Sequence, residues 1–216
     1  MSPNGATIGW MPAQRIATLG IRSHSGWAAV VVMAGTPEAP EVIFRRRIEI
    51  CDPDIRGSKQ PFHAAEPLEF PDAKAFIERC SDSTQTLART ALTSAIDDLR
   101  TKGYKTKGCG IILGSGRTLP ELKSILASHA LIHTAEGEFY RNALVEASKH
   151  SGLKVCGVKE RQLSEDSSTR LGIPASQIEK KIAELGKSIG PPWTQDQKYA
   201  AIAGWMALAE NYPIDR

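Results

Sequence analysis

The sequence predicts an α/β protein built on one five-stranded mixed sheet, three antiparallel strands followed by two parallel ones, with helices on both faces. Three observations predict it. Residues 15–51 hold three strand-like runs divided by tight, hydrophilic turns. Two more short apolar runs, 107–114 and 153–158, each stand between helical stretches. Strands separated by helices pair in parallel through right-handed crossovers, so all five belong in one sheet.

The size and composition agree with such a fold. A chain of 216 residues, 41% of them apolar, can bury a sizeable core. Residues 15–216 read as a single domain, and 1–14, "MSPNGATIGWMPAQ", as a short flexible leader. That leader has no basic segment running into an apolar one, so it does not read as a secretory signal. No stretch reaches the roughly 18–20 apolar residues of a membrane span. A cytoplasmic protein without a membrane partner is therefore expected. Cys51, Cys80, Cys109 and Cys156 form no C-x-x-C pair, so reduced, mostly buried thiols are expected rather than a zinc site. A net charge of +3 is milder than that of a dedicated nucleic-acid binder and leaves a polyanionic partner open.

The elements follow in order. "RIATLGIRS" at 15–23 and the valine-rich "WAAVVVM" at 27–33 read as an antiparallel hairpin. "EVIFRRRIEIC" at 41–51 alternates, with Val42, Phe44, Arg46, Ile48 and Ile50 on one face and Ile43, Arg45, Arg47 and Glu49 on the other. Its arginines suit a protected edge strand. Residues 52–70 read as a proline-punctuated loop. A helical pattern spans Pro71 to Lys102, with "SDSTQT" at 81–86 as a place for a bend or break. "KGCGIILG" at 107–114 reads as a central strand. Thr118 and Glu121 have the spacing of a capping box that opens a helix, with Pro120 in its first turn. "TAEGEFYRNALVEASKHSG" continues as a helix that Gly152 stops, and "LKVCGV" at 153–158 is the fifth strand. "KERQLSEDSSTRLG" reads as a polar connection, followed by a helix near 174–186. Thr194 and Gln197 form a second capping box, and the last helix runs to about Glu210.

This order resembles the ribonuclease H-like superfamily, and within it the Holliday junction resolvase-like branch. The resemblance spans Arg15 to about Ala209. "LGIRSHSGWAAVVV" looks like the first hairpin, "GIILGSG" like the fourth strand and "DQKYAAIAGWMALA" like the final helix. The resemblance implies a site for two divalent metals about 4 Å apart that activate water against a phosphodiester. Its acids belong at the end of strand one, the end of strand four and the start of the last helix. Here those places hold Arg22, Gly114 or Ser115, and Asp196, and Tyr199 stands where a second helix acid often lies. One carboxylate cannot hold two metals, so the site reads as degenerate, with no metal expected. A second resemblance, to actin-like and sugar-kinase ATPases, rests on the hairpin alone; "RSHSG" can offer donors to phosphate.

Candidate residues follow from that layout. Arg22, Ser23, His24, Ser115 and Arg117 should gather at the carboxyl ends of strands one and four, where open α/β sheets bind ligands. The two arginines make it an anion site. Asp196 should meet Arg22 in a salt bridge or through a short water link, in the metals' place. Glu136 and Glu138, with His133 one turn earlier, form the other polar cluster. His133 lies four residues before Gly137, so that spacing supplies no second ligand. Trp27, Trp193 and Trp205 read as packing residues.

Three functions remain open. The first is a non-catalytic member that binds nucleic acid or another anionic partner, with no cofactor. The second is a hydrolase with a rearranged acidic site of Asp196, Glu136 and Glu138, using Mg²⁺ or Mn²⁺. The third is a protein-interaction module. The oligomeric state stays open, with a dimer among the expectations.

Overall fold

The structure, a computed structural model, describes residues 15–114 and 118–212. The expected leader at 1–14 lies outside them. Five strands form one sheet in the order β3-β2-β1-β4-β5. They are β1 (Arg15–His24), β2 (Trp27–Gly35), β3 (Pro40–Glu49), β4 (Tyr104–Leu113) and β5 (Lys154–Lys159). β1, β2 and β3 pair antiparallel, and β4 and β5 join in parallel. The β1–β2 turn is tight: His24 pairs with Trp27, and Gly26 takes φ +83°, a conformation glycine adopts at little cost. The α-helices among the described residues are α1 (Pro61–Ala65), α2 (Phe70–Thr101), α3 (Leu122–Leu126), α4 (His129–His150), α5 (Leu163–Leu171), α6 (Ala175–Ile189) and α7 (Gln195–Asn211). Among the described residues no helix is long and apolar enough to cross a membrane.

Period-two alternation sorts the strand residues onto two cores. Ala17, Leu19, Ile21, Val30 and Val32 face α2 and α4, where they meet Leu92, Leu99, Tyr140 and Leu144. Val31 and Met33 face the opposite way, onto Ile178, Ile182, Ala200 and Trp205 of α6 and α7. A smaller cluster of Phe62, Ala65, Ile77, Ile125 and Ile132 seats α1 and α3 on α2 and α4.

The strand β3 is at the sheet edge, but its faces are not the expected ones. The register slips so that Val32 pairs with Phe44 and Met33 with Val42. Ile43 is the extra residue of a bulge, which switches the face of what precedes it. Ile43 and Phe44 therefore pack on the same core, and Val42 packs on the other. The three arginines do divide: Arg46 bonds Asp98 of α2, Arg45 bonds the Ile189 carbonyl oxygen of α6, and Arg47 pairs with Glu49.

Four further expectations are corrected. "SDSTQT" does not break α2, because Cys80, Thr84 and Ala88 continue one buried row through it, while Thr86 and Thr90 donate their hydroxyls to the carbonyl oxygens of Asp82 and Thr86. Thr118 caps no helix: α3 begins at Leu122 with Glu121 as its N-cap residue. Pro120 disfavours helical geometry at Leu119, so the turn cannot start there. The 52–70 stretch contains α1, opened by Pro61. The polar connection after β5 is a 3₁₀ turn at Glu160–Gln162 followed by α5, of which Leu163 and Ser167 are buried. A serine in the middle of the buried row hides its period. The second capping box forms as expected, with the Gln197 side chain accepting the Thr194 N–H at 2.9 Å.

One contact sets the position of α7. A Cβ on Gly20 of β1 would collide with the carbonyl oxygen of Ala200, and a Cβ on Gly110 of β4 with that of Ala203. Thr18 donates to the Gly204 carbonyl oxygen at 2.7 Å inside the same contact. Gly152, by contrast, has open space where its Cβ would be and φ +71°. Gly20→Ala and Gly110→Ala should each cost about 3 kcal/mol of stability, the scale of overpacking. Gly152→Ala should cost about 1 kcal/mol, for backbone conformation alone. Urea denaturation that ranks all three alike would contradict the backbone contact.

Candidate functional site: the cleft at the ends of β1 and β4

A cleft of about 430 Å³ opens where β1 and β4 end, lined by Arg22, Ser23, His24, Leu113, Gly114, Arg141, Glu160 and Arg161 among others. Three guanidinium groups thus face one lining carboxylate. The sheet supplies the floor, since β1 and β4 are parallel neighbours. The 3₁₀ turn after β5 supplies Glu160 and Arg161. The N-terminus of α7, fixed by the glycine contact, supplies Asp196.

Arg22 sits at the centre. Its Nη1 lies 3.0 Å from Asp196 Oδ1, the ion pair expected from the sequence. Its Nη2 donates to both oxygens of Glu160 at 3.1 Å. Its guanidinium carbon is 4.8 Å from the centre of the Tyr199 ring, the other position where the resemblance places an acid. His24 Nε2 lies 2.9 Å from the same Asp196 oxygen, and the His24 ring stacks on Trp27 with centroids 4.3 Å apart. The Arg22 side chain is 17% exposed and that of Asp196 25%, whereas Glu160 is 50% exposed. Asp196 is therefore the inner counter-ion and Glu160 the outer, solvated one.

The expected acidic trio does not assemble. Glu138 pairs with Arg141 at 3.0 Å, beside Gly114, whose missing side chain leaves the pair its room. Glu136 is buried elsewhere, on the N–H groups of Phe62 and His63 at 2.8 and 3.0 Å. Burial pushes its carboxyl pKa up, and the His63 and Phe62 hydrogen bonds pull it back. Asp196 is engaged by Arg22 and His24. Among the described residues no cluster of three carboxylates has ligand oxygens within 4.8 Å of one another. A hard divalent ion needs several oxygen ligands, and here a cation sits against the one helix carboxylate. The residues present do not fit a two-metal centre. Ser115 and Arg117 lie outside the described residues. Glu160, Arg161 and Arg141 were not singled out from sequence; Glu160 and Arg161 lie in the stretch read as a polar connection.

The Arg22–Asp196 pair is testable by a double-mutant cycle with Arg22→Met and Asp196→Ala. The expected coupling is about 1 kcal/mol, above a typical exposed pair because both side chains are mostly covered. Additive losses in chemical denaturation would show that the two groups do not support each other.

No family model and no curated protein matches the chain. Solved structures do. A T. thermophilus RuvC in complex with Holliday junction substrate superposes with TM-score 0.50 at 8% identity, covering 88% of this chain and 91% of that one. Another Thermus thermophilus RuvC structure gives TM-score 0.44 at 9% identity, covering 88% and 92%. An Aquifex aeolicus member of the Ppx/GppA family gives TM-score 0.37 at 9% identity, covering 73% of this chain and 40% of that one. At such identity the first likeness speaks of fold, and with the strand order β3-β2-β1-β4-β5 it shows that the chain has the ribonuclease H-like fold of RuvC.

Proposed function

We propose that the chain is a ribonuclease H-like domain that binds a polyanion, nucleic acid first, in the cleft at the ends of β1 and β4, without two-metal cleavage. The observation that carries this reading is the state of Arg22. Its guanidinium holds a half-exposed carboxylate through two hydrogen bonds in an open cleft. A phosphate presents oxygens to an arginine in the same way. Arg161 is exposed at the same rim and has no ion pair among the described residues, so it is available to a second phosphate. The Ser23 hydroxyl adds a further donor nearby. The structural neighbour recorded with a Holliday junction makes a four-way junction the first ligand to try.

The test is fluorescence anisotropy of the full chain with labelled four-way junction, duplex and single-stranded DNA across a salt series. Binding should weaken steadily with salt, as counter-ion release requires. Arg161→Ala should weaken it about fivefold and lower the salt slope by about 1. Glu160→Ala should tighten it, because a competing carboxylate is removed from Arg22. No binding at low salt, or affinities indifferent to both substitutions, would overturn the proposal. Cleavage in Mg²⁺ that Asp196→Asn abolishes would establish the hydrolase in its place.

A further inference from the structure

The structure assigns to His63, His129 and His133 a binding site for a late first-row divalent transition metal, Zn²⁺ being the type case, which ties α1 to the start of α4. This site is separate from the cleft and independent of the nucleic-acid reading. One ring nitrogen from each histidine lies within 4.8 Å of the other two. His129 and His133 are four apart on α4 and share a face, with their Nε2 atoms 3.1 Å apart. The His63 ring comes from α1, and its centroid lies 4.7 Å from that of His133 and 5.5 Å from that of His129. Tetrahedral zinc with Zn–N bonds of about 2.0–2.1 Å sets its nitrogens about 3.3 Å apart. One pair already has that spacing. His129 and His133 are exposed, so small side-chain rotations bring the third nitrogen in.

The surroundings favour the same assignment. His63 Nδ1 lies 3.2 Å from Glu136 Oε1, which also takes the backbone N–H groups of Phe62 and His63. A carboxylate on Nδ1 makes that nitrogen the N–H donor and leaves the Nε2 lone pair free to ligate a metal. Glu136 Oε2 is buried without a hydrogen-bond partner among the described residues, so the carboxyl behind the site is held through Oε1 alone. Three imidazoles suit Zn²⁺, Cu²⁺, Ni²⁺ or Co²⁺ and not Mg²⁺ or Ca²⁺, which require oxygen. Three ligands leave a fourth position toward solvent, where water or a donor atom of another molecule completes the coordination.

The test titrates the metal-free full chain with Zn²⁺ by calorimetry and with Co²⁺ by visible spectroscopy. One metal per chain should bind, with four-coordinate cobalt bands and no thiolate charge-transfer band. His129→Ala and His133→Ala should each weaken Zn²⁺ binding about 100-fold, and His150→Ala, an exposed histidine at the far end of α4, should not change it. Saturating Zn²⁺ should raise the melting temperature by about 5 °C in the unaltered chain and leave the double variant unmoved. Circular dichroism checks that the surface variants fold. No stoichiometric Zn²⁺ binding, binding that survives the double variant, or a thiolate band would each overturn the assignment.

Discussion

The site depends on how closely α7 lies on the sheet. Side chains normally stand between a helix and a sheet; here Gly20 and Gly110 remove them, and backbone meets backbone. Thr18 then spends its only hydroxyl hydrogen on the Gly204 carbonyl oxygen in the middle of the contact. With Ala200, Ala201 and Ala203 of α7 also fully buried, the helix has little freedom to slide or roll. Its first turn is thereby fixed over the end of β1. Asp196 cannot choose its neighbour: it meets Arg22 because the glycines put it there.

That placement inverts the electrostatics usual for the scaffold. The fold brings two strand ends and a helix N-terminus to one point, an arrangement that serves a cation when carboxylates fill it. In this chain the strand supplies the cation itself. A guanidinium carries its charge permanently and directs its donors in a plane, so the point attracts oxygens rather than furnishing them. Tyr199 covers the guanidinium face, and His24 meets the same Asp196 oxygen as Arg22 does.

The sheet was legible because its signals are local. Valine-rich alternation, a short turn and strands divided by helices give the order without any tertiary information. The Arg22–Asp196 pair followed from topology plus two residue identities. The bulge at Ile43 was not legible, since alternation in β3 looks regular until its partner's register is known. Nor was α1: a five-residue helix has no period, and Glu136, which accepts the N–H groups of Phe62 and His63, lies 74 and 73 residues away in sequence. The histidine trio escaped for the same reason. One turn forward along the helix His133 faces only Gly137, whereas its partners lie one turn back at His129 and across space at His63. Glu160 and Arg161 were hidden in a polar run whose only buried residues are Leu163 and Ser167.

The 3₁₀ turn at Glu160–Gln162 has no buried residue, whereas the opposite wall of the cleft is clamped by α7. The cleft therefore works like a vice with one fixed jaw and one loose one. Motion that widens or narrows it falls to the turn carrying Glu160 and Arg161, because few packed contacts resist it there. The charge on the loose jaw is balanced, one acid and one base side by side. Swinging that jaw changes the distance from Glu160 to Arg22, with β1 and its arginine left in place.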